Sequence, residues 1–427
     1  MAGNLDLNNL LNNRGEIIKA EIANLFILID KTSINFWKNK GFFKESSAYS
    51  YQLPDQFIEE IEKIDEQLQD LFTNVNINII DETTFDQLIK ELRSPEKRLV
   101  KILARGCENV NSGIDKGAPK EKLKSLWIAN AFGSFKEEVK EDYLDKRRRC
   151  FFDKLADEIK QFNKKIEQFS FEEWVQIRNF ILNEIKLWYV HLLSDSRFPI
   201  NDVTLWDQTY MTATMFKAAL AAMFLETEKI NEYSTNPQNI KWSILGIQYD
   251  KLGLAEKGLK PGYIQWYRET AREVDNEVKN IIETRYCLGN EIYRDETGIY
   301  FLVSENVCGE QEGKFYRLSD ELKDIRQEIL DVFSNQFKAE VYPAIFLTKP
   351  SRGIMNMAYL IDKAKGNFLT AEYPKNFEKN FEIKCELSSK DEELKEENSK
   401  KVSLYYLSNL RIAFSGKEKR RRQFSYL

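Results

Sequence analysis

Between residues 242 and 347 the hydrophobic pattern switches back and forth between the period of a strand and the period of a helix. The order of those switches leaves few folds open. WSILGIQY (242–249) is a short apolar run of strand type, and residues 261–284 carry apolar side chains at helical spacing. GNEIY (289–293) and IYFLV (299–303) flank RDETG, the pattern of a hairpin. RLSDELKDIRQEILDVFSNQ (317–336) predicts a second helix, and KAEVYPAIFL (338–347) a last strand. The order β-α-β-β-α-β is that of the ferredoxin-like unit.

The rest of the chain must supply further cores, because a single core stops growing at about 250 to 300 residues and this chain has 427. Hydrophobic residues make up 42% of it and prolines number only 9, so it has the apolar content of a folded protein and few helix breakers. Residues 14–31, 55–72 and 84–105 show the spacing of amphipathic helices, and CENVNSGIDKGAP (107–119) has the Asn, Ser, Gly and Pro of a loop. Helices are expected again from about 120 to 190, followed by a turn-rich linker that becomes a small-residue helix over 194–226. STNPQN (234–239) marks a boundary before the first strand. SRGIMNMAYLIDKAK (351–365) fits a helix, SSKDEELKEENSKK (388–401) an exposed helix or linker, and VSLYYLSNLRIAF (402–414) a strand or helix. The expected fold class is α+β: a mostly helical amino-terminal domain over 1–190, a connecting segment and helix over 191–238, a ferredoxin-like domain over 239–350, and a carboxy-terminal segment with a charged linker over 351–427.

Charge and motif content narrow the chemistry. With 63 Lys and Arg against 68 Asp and Glu the net charge is −5, so any nucleic-acid contact has to be a local patch. Two runs qualify: Lys146, Arg147, Arg148 and Arg149, and the tail with Lys417, Lys419, Arg420, Arg421 and Arg422. Taken alone, the first reads more naturally as a solvated helix face. The five cysteines are scattered and His191 is the only histidine, which argues against a zinc finger or a disulfide scaffold. His191 reads as a packed or surface histidine, and Cys107 as a turn residue with no partner base. GxSxG, HExxH and P-loop motifs are absent from the sequence. No apolar run approaches the ~20 residues of a membrane span and the first residues lack signal-peptide character, so a cytoplasmic location is expected.

A β-α-β-β-α-β sheet can also serve as a nucleotide polymerase or cyclase palm, where carboxylates at the end of the first strand and in the hairpin hold two Mg²⁺ ions. Asp250 ends the first strand here, and Asp295 and Glu296 sit in the hairpin. Tyr293 and Arg294 stand where such palms usually have glycine, and acids are common in tight turns for local reasons. The strand IYFLV is uniformly apolar, as a buried strand is, and gives no alternation of aromatic and basic residues for RNA stacking.

Several segments together resemble one family. SDSRFPINDVTLWDQTYMTATMFKAALA (194–221) resembles the segment before the first palm of the Cas-ten-like large subunits of type III CRISPR effector complexes, where a D-T-R-x-P-x-x-x-x-x-W-D-H motif precedes a small-residue helix. GNEIYRDETGIYFLV (289–303) and SGIDKGAP (112–119) resemble the branch known as Csx-eleven, and the likeness spans roughly residues 14 to 360. It implies a degenerate HD-like helical domain followed by a first palm.

The departures carry as much information. Family members open with a helix of the form A-x-L-L-H-D-I-G-K, whose His and Asp bind the metals of an HD nuclease. At the matching place this chain reads Ala23-Asn24-Leu25-Phe26-Ile27-Leu28-Ile29-Asp30-Lys31, and Gln208 replaces the histidine of W-D-H. Asp30 and Asp207 remain, but aliphatic Ile27 and Leu28 have no lone pair to offer a metal. The family normally continues into a zinc-binding segment, a second palm with G-G-D-D and a helical tail; none is recognisable here, which reads as a split or shortened subunit. The resemblance therefore implies a non-catalytic scaffold, with no catalytic residue, metal or cofactor expected, whose partners are guide RNA and other effector subunits. The alternative is a nucleotide-binding half-palm in which Asp250, Asp295 and Glu296 bind Mg²⁺ and ATP and a separate chain carries the second palm.

Overall fold

The computed structural model describes residues 5–43, 59–79, 82–90, 99–112, 125–130, 132, 134–195, 200–201, 203–256, 258 and 260–365. The expected elements at 388–401 and 402–414, and the tail cations, lie outside them.

The helical part begins with α1 (Leu7–Leu25), capped by Asp6, whose carboxylate accepts from Asn9 N at 2.9 Å. A 3₁₀ turn (Ile29–Thr32) and α2 (Ile34–Asn39) follow. The stretch read as one helix over 55–72 is broken: Asp65 turns its carboxylate onto the N–H groups of Gln67 and Leu68, starting α3 (Glu66–Thr73) afresh. A hairpin of β1 (Asn76–Asn78) and β2 (Glu82–Thr84) leads to α4 (Phe85–Lys90). Helix α5 (Leu99–Asn111) runs through the start of the segment expected to be a loop. Cys107 is thus a wholly buried helical residue rather than a turn thiol, and its burial raises the thiol pKa beyond the usual range. Tertiary packing overrode the local Gly and Asn signals here.

The next stretch, expected to be helical from about 120, opens with a hairpin of β3 (Trp127–Ala129) and β4 (Lys136–Glu138). Helices α6 (Asp145–Lys160) and α7 (Phe171–Tyr189) follow, the second started by a Ser170/Glu173 capping box. The two-residue strand β5 (Ile200–Asn201) pairs in parallel with β3.

Helix α8 (Leu205–Leu225) is central. Nearly every residue is buried, including Ala218, Ala219, Ala221 and Ala222, because it packs on α1 and α5 and also lies against the sheet that follows. Small side chains let a helix approach neighbours on all sides. Trp242 Nε1 donates to Met215 O at 2.9 Å across that boundary. Buried hydrophobic residues from Leu5 to Ala364 accordingly form one cluster.

After α9 (Glu228–Thr235) the chain enters β6 (Trp242–Gln248), α10 (Lys251–Glu256) and α11 (Pro261–Asn280), which closes in a π turn (Ile281–Arg285). The hairpin strands β7 (Gly289–Asp295) and β8 (Gly298–Ser304) come next. A second hairpin pairs β9 (Cys308–Glu312), which is mostly polar and exposed, with β10 (Phe315–Leu318), whose last two residues belong to the stretch expected to open the helix over 317–336. Helix α12 (Lys323–Gln336) precedes β11 (Ala344–Leu347), and α13 (Ile354–Lys365) ends the described chain. The strand expected from 338 starts later, since Lys338 and Ala339 take left-handed conformations (φ 55° and 62°) that end the helix.

The six strands form one antiparallel sheet in the order β7-β8-β6-β11-β10-β9. Strands β6 and β8 are buried at every residue. The chain is therefore α+β. No helix among the described residues is long and apolar enough to cross a membrane.

Candidate functional site

The five positions singled out by the resemblance lie in two segments, and a contact between Lys31 and Gln208, 177 positions apart, joins those segments. α1 stops at Leu25, and the reversal through Phe26 turns Ile27 and Leu28 into the core, where they are 4% and 7% exposed. The 3₁₀ turn then presents Lys31. On the other side Thr204 and Asp207 form a reciprocal capping box that starts α8 and sets Gln208 in its first turn. Lys31 Nζ donates to Gln208 Oε1 at 3.1 Å and to the carbonyl of Ser194. Gln208 is itself buried, and its backbone oxygen accepts from Asn111 Nδ2 at 2.7 Å.

The chemistry of that meeting point is an ammonium, an amide and a backbone carbonyl. Asp207 is exposed and spends its Oδ2 on Thr204 N (2.9 Å) and Thr204 Oγ1 (2.8 Å), while Asp30 Oδ1 accepts from Lys31 N at 3.0 Å. Among the described residues no group of three or more His, Cys, Asp or Glu is placed to hold a metal ion.

The three acids of the sheet share one edge. Asp250 Oδ1 accepts from Gly253 N at 2.7 Å and so caps α10. Asp295 Oδ1 accepts from Thr297 N (2.9 Å) and Thr297 Oγ1 (2.6 Å), and its Oδ2 lies 2.5 Å from Lys365 Nζ. Burial opposes ionisation of Asp295, but Lys365 and Thr297 outweigh it and hold the carboxyl below its usual pKa. Glu296 is exposed at the turn, and its carbonyl accepts from Lys251 N at 3.0 Å. Tyr293 gives Lys365 both a hydroxyl acceptor at 2.7 Å and a ring face at 4.6 Å.

The run at 146–149 is not a continuous basic patch. Arg148 points inward at 5% exposure, with Nη2 2.8 Å from Glu60 Oε2 and Nη1 3.5 Å from Thr32 Oγ1. Helical spacing explains this: consecutive residues point about 100° apart, so one of four must face the core. Only Lys146, Arg147 and Arg149 are exposed, beside exposed Glu141, Asp142 and Asp145 that offset them. His191 is half-buried, 3.0 Å from Glu137 Oε2 and stacked on Tyr143 with ring centroids 5.1 Å apart.

Sequence reasoning missed a buried ionic node. Arg178 of α7 donates to Glu21 of α1 through Nε (2.9 Å) and Nη2 (2.8 Å), and to Glu283 Oε2 at 3.0 Å. Lys217 of α8 donates to Glu21 Oε2 (2.7 Å), Glu283 O (2.7 Å) and Asn290 Oδ1 (2.9 Å). Asn290 Nδ2 completes the node on Glu21 Oε1 at 2.7 Å. The signal was available: Glu21 and Lys217 are single charges inside otherwise apolar helix faces, which only a buried partner can sustain.

No family model matches the chain, and no curated protein matches it.

Proposed function

We propose that the chain is a non-catalytic scaffold subunit of a type III CRISPR ribonucleoprotein, with a degenerate HD-like helical domain and a ferredoxin-like first palm. The observation that carries the reading is the Lys31–Gln208 hydrogen bond of 3.1 Å. The two segments that resemble the halves of the family's metal centre lie in contact here, and neither offers an imidazole nitrogen where the family has histidine. The sheet supports the second domain: β7-β8-β6-β11 are strands 2-3-1-4 of a β-α-β-β-α-β unit, the ferredoxin-like order, with β9 and β10 added at its edge. A scaffold of this kind needs shape and local charge, because base pairing with the guide reads the sequence.

Purification of the tagged chain from its native host tests this. Guide RNA and other effector subunits are expected to copurify, and their absence would overturn the assignment. Metal-dependent cleavage of single-stranded DNA by the purified chain, abolished by Asp30→Ala or Asp207→Ala, would refute the loss of nuclease function.

One observation favours a rival. Lys251 joins the end of β6 to the β7–β8 turn, so Asp250, Asp295 and Glu296 do share an edge, as a palm that binds Mg²⁺ and ATP requires. Incubation with labelled ATP, alone and with the products of neighbouring genes, separates the two: no product in either case dismisses the enzyme.

A further inference from the structure

The ammonium of Lys251 is bound as a metal ion would be. Its Nζ donates to Asp275 Oδ2 at 2.7 Å, to Asp295 O at 2.8 Å and to Gly298 O at 3.1 Å. An ammonium has three N–H donors, and each has its oxygen here. The receiving carboxylate is fixed in turn: Asp275 is 3% exposed, and the Tyr249 hydroxyl donates to its Oδ1 at 2.8 Å. One carboxylate oxygen and two backbone carbonyls converging on a positive centre are donors of the kind a hard cation takes, with water left to complete its shell. The oxygens come from α11, from the end of β7 and from the start of β8, so the cation ties three elements together.

We infer that Lys251 is a built-in cation filling a latent metal seat made by Asp275 and the carbonyls of Asp295 and Gly298, and that removing its ammonium opens the seat to Ca²⁺. Ca²⁺ is favoured over Mg²⁺ because it accepts irregular oxygen sets at about 2.3 to 2.6 Å, whereas Mg²⁺ demands a near-octahedral set at about 2.0 to 2.1 Å. The lysine performs the structural work of an ion without depending on its supply. The inference stands apart from the family reading, since it rests on distances between Lys251 and the oxygens of a helix and a hairpin. It also weighs against the rival reading, because Lys251 and Lys365 repel a second cation at the same edge.

The test compares the full chain with Lys251→Ala, using Tb³⁺ as a luminescent stand-in for Ca²⁺, excited through Tyr249. Lys251→Ala is expected to show a tyrosine-sensitised emission that Ca²⁺ displaces, absent from the wild type and lost again in Lys251→Ala/Asp275→Asn. Its melting temperature should fall below that of the wild type and rise again with Ca²⁺ or methylammonium, while the wild type responds to neither. If Lys251→Ala is unfolded without added cation, recovery of its circular dichroism by Ca²⁺ or methylammonium supports the seat, and failure to recover overturns it. Equal emission from wild type and variant, or loss of wild-type emission in Asp275→Asn, also overturns it. Copurification with RNA is unaffected by either result, so the two proposals fail separately.

Discussion

Lys217 Nζ lies 2.7 Å from Glu21 Oε2 with both side chains wholly removed from water. The pair crosses from α8 to α1, and Arg178, Glu283 and Asn290 extend it to α7 and to the edge of the sheet. Two cations face two carboxylates, so the node is balanced, and its members hydrogen-bond one another densely. Removing one member leaves a buried charge without its partner. Lys217→Met should therefore cost about 3 to 5 kcal/mol in urea unfolding. The double variant Glu21→Gln/Lys217→Met should cost less than the sum of the single changes, which a double-mutant cycle measures.

The same node sets an acid limit. Burial pushes the Glu21 carboxyl up, but Arg178 and Lys217 together outweigh it and hold the pKa at about 2, against an ordinary 4.5. A carboxyl depressed in the folded state contributes stability that is complete above its unfolded pKa and is lost as pH falls through its folded pKa. The contribution amounts to about 3 kcal/mol. Unfolding free energies should fall from about pH 5 to about pH 2, and a profile that stays flat across this window would contradict the ionised node.

Polar substitution at positions 27 and 28 should be costly. Ile27 and Leu28 are 4% and 7% exposed in a core beside Phe26, so Ile27→His/Leu28→Asp buries an imidazole and a carboxylate among apolar groups. A loss of at least about 2 kcal/mol is expected. A melting temperature equal to that of the wild type would show that this part of the core accommodates polar groups.

The basic run divides by orientation. Arg148→Ala should lower stability by about 2 kcal/mol through lost packing and the lost Glu60 and Thr32 contacts. Arg147→Ala and Arg149→Ala should stay within about 0.5 kcal/mol. Three equal melting temperatures would mean that Arg148 is exposed in solution.

Gly289 begins β7 with no room for a side chain. A Cβ there would lie 1.8 Å from Leu302 O on the neighbouring strand. Gly289→Ala should cost about 3 kcal/mol by forcing the hairpin apart, and thermal unfolding reports it directly.

Much of the sheet was legible from residues 242–347, because strand and helix periods are local properties and the turn RDETG lies between two apolar runs. The hairpin β9–β10 escaped because the polar, exposed β9 carries no such period and β10 is only four residues long. The break before α3 and the extension of α5 depart from the local periodicity for opposite reasons. A single capping carboxylate at Asp65 ended one helical pattern, and packing against α8 carried the other through Gly106 and Asn109.

The chain's own letters determined the order of its elements and the identities at 27, 28 and 208, since both are read one residue at a time. What only the tertiary structure decided was which of these residues meet. Lys31 reaches Gln208 across 177 positions, Glu21 reaches Lys217 across 196, and Lys251 reaches the oxygens of a helix and a hairpin. Local periodicity says which face of an element is apolar, but not which distant face it will cover. The Glu21–Lys217 pairing exists because packing α8 between helices and sheet brought both charges out of water together, where a partner is the cheapest way to keep them.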